Sequence, residues 1–222
     1  MLLAIDTSTR AVGVALYDGI QVLGETVWTS QDYHTVDLAP AVAHILEKAG
    51  VNISSLQALA VALGPGSFTG LRVGLAFAKG LALARRLPII GISTFDVLAA
   101  ALPVKDLPLA VILRAGRGRL AVGWYHNQRQ IWVATGRAEL MTSEALIGMI
   151  EKPTLVSGEL TADDRQAMGK KRRIILLASP AQSLRRPSYL AELAWKKWRS
   201  GEAGNPATLA PVYLHDENPI PG

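Results

Sequence analysis

The chain has 222 residues, of which half are hydrophobic and 18% are charged, and its formal net charge is +5. This composition is too apolar for a disordered protein, and the length is sufficient to bury one or two cores. Cysteine is absent, which excludes a disulfide framework, a thiolate metal site and a cysteine nucleophile. We therefore expect a globular, cytoplasmic protein.

The first part of the chain predicts three strands and a helix. Residues 1–6 and 12–17 are apolar runs rich in β-formers, and Asp18-Gly19 predicts a two-residue hairpin turn into a strand at 21–28. A helix that ends at Gly50 follows, and Pro40 is tolerable in it only if the helix begins near Asp37 or bends at Pro40. Its predicted apolar face contains Val36, Ala39, Val42, Leu46 and Ala49.

A nearly continuous apolar run at 56–63 predicts a central strand, followed by a glycine-rich turn and a helix to residue 86. A strand at 88–92 and a helix at 94–102 complete the first pattern. After a proline-flanked joint at 103–107 the pattern returns in weaker form, with strands at 108–113, 120–126, 130–135 and 154–156 and a helix at 143–150. We expect an α/β fold with two similar domains, 1–102 and 103–222, of which the second is degenerate.

The C-terminal third predicts a strand near 173–177, an amphipathic helix at 187–199 and an extended tail at 206–221. The apolar segment 210–214 of the tail is expected to dock back on the body. Basic residues cluster at 114–119, 170–173, 185–186 and 196–199. These runs predict either a patch for a phosphate-bearing partner or an ordinary solvated surface.

The sequence predicts no attachment to a membrane. The most apolar helical stretch, 71–83, carries Arg72 and Lys79 and is shorter than the roughly 20 residues that span a bilayer. The apolar run at the N-terminus has no basic residues ahead of it, so we expect no signal peptide.

The turn Gly64-Pro65-Gly66-Ser67-Phe68-Thr69-Gly70 lies between the central strand and the long helix. Free N–H groups at a helix N-terminus favour a phosphate, which makes Gly64, Gly66 and Ser67 candidate binding residues. The spacing matches neither a P-loop nor a dinucleotide fingerprint. The structural alternative is that the glycines permit a sharp turn and that Ser67 caps the helix.

Asp6 ends the first strand and is followed by Thr7, Ser8 and Thr9. A carboxylate followed by hydroxyl groups before a hairpin is suited to Mg²⁺ and phosphate oxygens, and it is equally suited to an Asx turn. Both interpretations stay open at this point.

Small residues recur four apart on the long helix, at Gly70, Gly74 and Ala78. Such a stripe allows a second helix to approach closely, and Leu71 and Leu75 beside it add apolar area. With the first helix, this stripe predicts a helical interface with a partner or a second copy of the chain.

Ile5-Asp6-Thr7-Ser8-Thr9 and the run from Gly64 to Leu71-Arg72 together resemble the TsaB (YeaZ) family, within the actin-like ATPase superfamily. The resemblance continues at 78–82 and 92–94, covers residues 1 to about 102 and recurs at 209–214. His34-Thr35 also matches the family's loop-to-helix histidine and hydroxyl.

The resemblance implies tandem actin-like (RNase H-like) βββαβα domains and a non-catalytic scaffold in tRNA threonylcarbamoyladenosine formation. Such a scaffold pairs with TsaD, recruits TsaE and reaches tRNA through the complex. It has no cofactor or metal of its own, with ATP and Mg²⁺ acting in the complex, and we expect a homodimer when it is alone. The implied interface comprises His34, Val36, Ala39, Val42, Ala43 and Leu46 on the first helix and Leu71, Arg72, Gly74, Leu75 and Ala78 on the second.

The sequence departs from the family pattern in two places. The catalytic paralogue TsaD carries a His-x-x-x-His metal pair after its second helix, where this chain has Thr94 and Leu98. The family usually opens its second half with Asp-Ala-Arg after the first strand, where this chain has Arg114-Ala115-Gly116-Arg117. The first departure predicts that the metal site is missing.

Two other functions compete with a scaffold. A nucleotide-dependent phosphotransferase or ATPase of the same superfamily needs a second acidic residue, for which Asp96 and Glu159 are candidates. An independent RNA-binding module would depend on the basic C-terminal half. It lacks a recognisable signature and an aromatic platform, because Trp195 and Trp198 are predicted as core or interface anchors.

Overall fold

A computed structural model describes residues 1–30, 34–202 and 204–214, without the side chains of His34 and Thr35. These residues form two units, residues 1–97 with 185–212 and residues 98–184 with 213–214. Each unit contains one mixed five-stranded sheet flanked by helices, which confirms the predicted α/β class. None of the helices in the described ranges combines the length and apolar character that a bilayer span needs.

The sheet of the first unit has the order β3-β2-β1-β4-β5, with β1 antiparallel to β2 and parallel to β4. The strands are Leu2–Asp6 (β1), Ala11–Tyr17 (β2), Val22–Thr29 (β3), Ala58–Gly64 (β4) and Ile89–Ser93 (β5). The central strands β1 and β4 are continuous apolar runs because helices cover both faces of the sheet.

Helices α1 (His34–Lys48) and α2 (Phe68–Arg85) cover one face of this sheet, and α6 (Pro187–Arg199) covers the other. Side chains alternate along a strand, so Leu3 and Ile5 of β1 pack with α1 and α2. Leu2 and Ala4 of the same strand pack with α6. A short helix, α3 (Thr94–Ala100), follows β5.

The second unit repeats this plan with shorter helices. Its strands are Leu109–Arg114 (β6), Leu120–Gln128 (β7), Ile131–Met141 (β8), Thr154–Gly158 (β9) and Ile175–Leu177 (β10), in the order β10-β9-β6-β7-β8. Its helices are Ser143–Met149 (α4) and Ala162–Gly169 (α5). With 7 and 8 residues against 15 and 18 in α1 and α2, this unit is the degenerate one, as predicted.

The predicted division at residue 102 does not hold for the C-terminal helix. The segment 185–212 returns to the first unit, where Leu190, Ala191 and Ala194 of α6 are buried against the sheet. The physical reason is that the first sheet is apolar on both faces, while α1 and α2 cover only one of them.

The first hairpin differs from the predicted two-residue turn. Tyr17 pairs with Val22, so four residues connect β2 to β3. The Asp18 Oδ1 atom accepts hydrogen bonds of 2.7 Å from the N–H groups of both Ile20 and Gln21. This Asx-type loop replaces the tighter turn that Asp18-Gly19 predicts.

Helix α1 begins at His34 rather than near Asp37, which places Pro40 inside the helix. Val36 and Pro40 are both exposed, so the carbonyl that loses its helical hydrogen bond at Pro40 lies on the solvent side. The buried face of α1 consists of Leu38, Val42, Ile45 and Leu46.

Two elements of the second unit were not predicted correctly. Strand β8 was predicted to end at residue 135, but it continues past Gly136 to Met141. Gly136 has φ = 70° and lies where the pairing with β7 shifts register. Helix α5 was missed because Met168 is its buried apolar residue and no apolar period is present. Its sequence signal is the capping box formed by Thr161 and Asp164.

The C-terminal tail docks on the first unit, as predicted. The Gly204 N–H donates to the Ile89 carbonyl at 3.0 Å, and the Val212 N–H donates to the Leu63 carbonyl at 2.7 Å. Leu209 packs against the core beneath α2. The predicted tail beyond residue 214, including His215, lies outside the described residues.

Candidate functional site

Asp6 and the three hydroxyl residues after it are buried at the end of β1. The Asp6 Oδ1 atom accepts hydrogen bonds from the Ser8 N–H at 2.9 Å and the Ser8 hydroxyl at 2.5 Å. This geometry is the Asx turn that was one of the two open interpretations.

The other oxygen of Asp6 is bonded to Arg185, which lies two residues before α6. Arg185 Nε donates to Asp6 Oδ2 at 2.6 Å, and both side chains are only 2% exposed. The Arg185 Nη2 atom also donates to Thr9 Oγ1 at 2.9 Å and to the Ala11 carbonyl at 2.7 Å. A buried carboxylate is stable as an anion only when it is paired and hydrogen-bonded, and Arg185 meets that requirement.

Next to this buried pair, Arg186 and Glu25 form a more exposed one. The carboxylate of Glu25, on β3, accepts from Arg186 and from the Ser188 N–H, the latter at 2.9 Å. Burial alone would raise the pKa of Glu25, but the hydrogen bonds from Arg186 and Ser188 outweigh it and hold the pKa below its usual value. Glu25 therefore caps the N-terminus of α6, whose first residues provide no side-chain cap.

The corresponding strand end of the second unit carries the opposite charge. Arg114, the last residue of β6, pairs with Asp164 at 3.3 Å, and its N–H donates to Glu159 at 3.2 Å. Burial would raise the pKa of Asp164, but hydrogen bonds from Thr161 hold it below its usual value. In both units, a carboxylate–guanidinium pair thus occupies the end of the central strand.

The glycine-rich turn packs directly on the Asp6 loop. The Ser67 N–H donates to the Ser8 carbonyl at 2.6 Å, and the Gly70 N–H donates to Ser67 Oγ at 3.2 Å. A Cβ on Gly66 would lie 2.1 Å from the Ser8 carbonyl oxygen. Ser67 is the N-cap of α2, so the structural interpretation of this residue is confirmed, and its N–H group is bonded inside the protein.

The small-residue stripe of α2 faces the chain's own sheet. A Cβ on Gly74 would lie 2.1 Å from Thr7 Oγ1, and that hydroxyl donates to the Gly70 carbonyl at 2.7 Å. Gly74 thus allows α2 to approach the end of β1. The prediction that this stripe receives a helix from another chain is wrong for this arrangement.

More than half of the predicted interface residues belong to the core of the first unit. Helices α1 and α2 need these apolar side chains to cover β1 and β4, so in this conformation they offer no surface to a partner. They are Val42, Leu46, Leu71, Gly74, Leu75 and Ala78.

The other described members of that predicted set lie on the surface. Val36 is 65% exposed, and Ala39, Ala43 and Arg72 are exposed as well. The Arg72 guanidinium lies 3.7 Å from the ring centroid of Phe68, which is 54% exposed. Nothing is described of the His34 side chain.

Sequence reasoning missed three residues of this site, Arg185, Glu25 and Phe68. Arg185 lies 179 positions from Asp6, and nothing local in the sequence joins them. One signal for Arg185 was present in the sequence. Arg185-Arg186 directly precedes a predicted helix that begins at Pro187, and neither arginine can cap that helix with a side-chain acceptor, which indicates a tertiary contact at this point.

The superfamily implies Mg²⁺ and a nucleotide, and the residues near Asp6 do not fit that group. Both carboxylate oxygens of Asp6 are bonded inside the protein, and Arg185 already supplies the positive charge. The candidate second acid Glu159 is bonded to the Arg114 N–H. Within the described ranges, no three His, Asp or Glu side chains are grouped as a metal-binding set.

Comparison with known proteins places this geometry in a family. The family model of TsaD, tRNA N6-adenosine threonylcarbamoyltransferase, matches residues 21–178. The tRNA threonylcarbamoyladenosine biosynthesis protein TsaB of Bacillus subtilis is 32% identical over 96% of this chain and 93% of its own length.

Solved structures agree with the sequence comparison. YeaZ from Pseudomonas aeruginosa superposes with a TM-score of 0.75 at 27% identity, over 96% of this chain and 99% of that one. The ROK hexokinase from Thermus thermophilus matches with a TM-score of 0.51 at 11% identity, over 90% of this chain and 99% of that one, which shows the fold alone. The chain therefore belongs to the TsaB (YeaZ) family, and the members of this family named TsaB are tRNA threonylcarbamoyladenosine biosynthesis proteins.

Proposed function

We propose that this chain is a non-catalytic partner subunit of the cytoplasmic machinery that forms threonylcarbamoyladenosine in tRNA. In this proposal it pairs with TsaD, helps to recruit TsaE and brings no cofactor of its own. The buried Asp6–Arg185 pair is the observation that carries the proposal.

The pair supports a non-catalytic role because it removes the group that phosphoryl transfer would need. A carboxylate that holds Mg²⁺ or activates a nucleophile must present a free oxygen. Here one oxygen of Asp6 accepts from Ser8 and the other from Arg185. The alternative of a phosphotransferase or ATPase loses its principal candidate residue for this reason.

A surface on α1 and at the start of α2 supports the partner role. It consists of the exposed residues Val36, Ala39, Ala43, Phe68 and Arg72, and we name it the helical surface. Exposed apolar side chains with an aromatic ring and an arginine are typical of residues that anchor protein interfaces. The same surface would mediate self-association when the chain is alone.

Sedimentation velocity of the chain mixed with TsaD of the same organism tests the proposal. We expect a one-to-one complex, and we expect Val36→Glu to weaken it at least about tenfold because a charge would be buried in the interface. Ile131→Glu, at an equally exposed apolar position of the second unit, is the matched control. ATP hydrolysis by the chain without complex formation would contradict the proposal.

A further inference from the structure

The basic run at residues 170–173 forms a turn that joins α5 to β10, and we name Lys170, Lys171, Arg172 and Arg173 the basic turn. Lys171 fixes it, because its Nζ donates to the Ile147 carbonyl at 2.8 Å and its own carbonyl accepts from the Ile174 and Ile175 N–H groups at 2.9 Å. The other three side chains are exposed. The turn is therefore an ordered feature that presents three cations to solvent.

The described part of the chain provides no carboxylate partner for these three cations. Across residues 1–30, 34–202 and 204–214, neither Lys170 nor Arg172 nor Arg173 forms a salt bridge or a side-chain hydrogen bond. One arginine in each of two other basic runs differs, because Arg185 and Arg114 are paired with carboxylates. Unpaired cations on a fixed turn gain affinity for a polyanion by releasing its condensed counterions.

The basic turn lies at the end of the sheet where β6, β9 and β10 begin. The same end carries a cleft of about 540 Å³, lined by Trp124, His126, Met149, Ile150, Glu151 and Lys152 among others. We name it the aromatic cleft. The Thr154 N–H donates to the Ile174 carbonyl at 2.8 Å, and Thr154 is in register with Ile175. Lys152 and Arg173 thus precede neighbouring parallel strands by two residues each.

The side chains in the cleft are suited to a flat aromatic ligand. Trp124 and His126 are two positions apart on β7 and point to the same side of the sheet. Trp124 is half-buried, and His126 is exposed with its Nδ1 atom 2.9 Å from Thr135 Oγ1. The volume lies in the range of small-ligand sites. The sequence indicated no aromatic platform, because this cleft forms only when β7 meets residues 149–152 in the folded unit.

We propose that the basic turn and the aromatic cleft bind a single-stranded segment of RNA. The exposed cations contact phosphates, Lys152 links the two features, and a base stacks in the cleft, the combination by which proteins bind single strands. This inference goes beyond the proposed function, which assigns the chain no RNA-binding surface of its own. The sequence left two interpretations of the basic runs open, and the cleft beside the basic turn favours a binding patch over an ordinary solvated surface.

Fluorescence anisotropy of the full chain with a labelled single-stranded RNA of about 12 nucleotides tests this inference. We expect the triple variant Lys170→Gln, Arg172→Gln, Arg173→Gln to bind about tenfold more weakly at low salt. The slope of log affinity against log salt should fall by about 2, since each phosphate contact contributes about 0.7.

The matched control removes the same charge elsewhere. Lys196, Lys197 and Arg199 are exposed at the end of α6, where Trp195 and Trp198 pack on each other at 5.0 Å and offer no open cleft. Their triple Gln variant should change affinity less than about twofold. His126→Ala should weaken binding at least about fivefold, and Gln128→Ala, exposed two positions further on β7, should not.

Three results would overturn the inference: equal losses in the two triple variants, equal affinity for duplex and single-stranded RNA, or no RNA binding alongside binding to phosphatidylserine vesicles. The last result would assign the basic turn to an anionic membrane surface. All of these measurements use the chain without TsaD, so a result that overturns the RNA inference leaves the partner-subunit proposal standing. Loss of the TsaD complex would likewise leave the RNA result intact.

Discussion

At the residue scale, the pairing of Asp6 with Arg185 determines how the end of β1 is interpreted. The carboxylate alone is compatible with a metal site or with an Asx turn, and the sequence leaves both open. Arg185 lies so far along the chain that only the folded protein brings its guanidinium to Asp6. The Ser67 cap, in contrast, is local and could be predicted from the turn itself.

The buried pair should dominate the response to substitution. Arg185→Met leaves the Asp6 carboxylate buried without a counter-charge, so the free energy of unfolding should fall by about 3–5 kcal/mol. Urea denaturation measures it. Arg186→Met is the control: its pair with Glu25 is half-exposed on the arginine side, and the loss should stay within about 1 kcal/mol. Equal losses of stability in the two variants would contradict the burial of the Asp6–Arg185 pair.

The close approach of α2 to β1 predicts opposite effects for two glycines of one helix. In Gly74→Ala the new Cβ would lie 2.1 Å from Thr7 Oγ1, so unfolding free energy should drop by about 1–3 kcal/mol. In Gly80→Ala the Cβ meets nothing within 4 Å, so stability should rise by about 0.5–1 kcal/mol. Thermal unfolding of both variants provides the comparison, and a neutral Gly74→Ala would contradict the packing.

At the element scale, elements with strong apolar patterns or clear punctuation could be predicted, and weak ones could not. Helix α6 begins and ends where Pro187 and its amphipathic pattern predict. Helix α5 lacks an apolar period, and β8 passes through Gly136 by means of a register shift. The predicted apolar face of α1 included Val36 and Ala39, which are exposed in the structure. Periodicity alone does not show which of two adjoining helix faces will pack on the sheet.

The cap that β3 provides for α6 predicts a pH dependence. The pKa of Glu25 is lowered in the folded state, so its contribution is complete above the ordinary value of 4.5 and is lost as pH falls through the folded value. Glu25→Gln should lower unfolding free energy by about 1 kcal/mol at neutral pH, allowing for screening around exposed Arg186. The difference from the unsubstituted chain should shrink below about pH 4.5.

Urea titrations between about pH 3 and pH 7 measure that difference. Glu47→Gln, at an exposed position of α1, provides the control and should show little effect at any pH. A constant difference for Glu25→Gln across the range would show that the charge of this carboxylate does not stabilise α6.

At the scale of the whole molecule, the two repeated units carry opposite charges at the ends of their central strands, and each of these charges is paired inside its own unit. The first unit retains Asp6 and neutralises it with Arg185, whereas the second places Arg114 there and neutralises it with Asp164. The repeat could be predicted from the sequence, because both halves show the same element order. The return of 185–212 to the first unit could not, since only packing shows which sheet face is uncovered.

Formation of threonylcarbamoyladenosine in a reconstituted reaction with TsaD, TsaE, ATP, tRNA and a threonylcarbamoyl donor tests the central claim most directly. The double variant Asp6→Asn, Arg185→Met removes both buried charges together, which costs far less stability than removing one. If the chain contributes no chemistry at Asp6, the yield should stay within about twofold of the unsubstituted protein. A loss of tenfold or more, with the complex with TsaD intact by sedimentation, would contradict the account and assign Asp6 a role in the reaction.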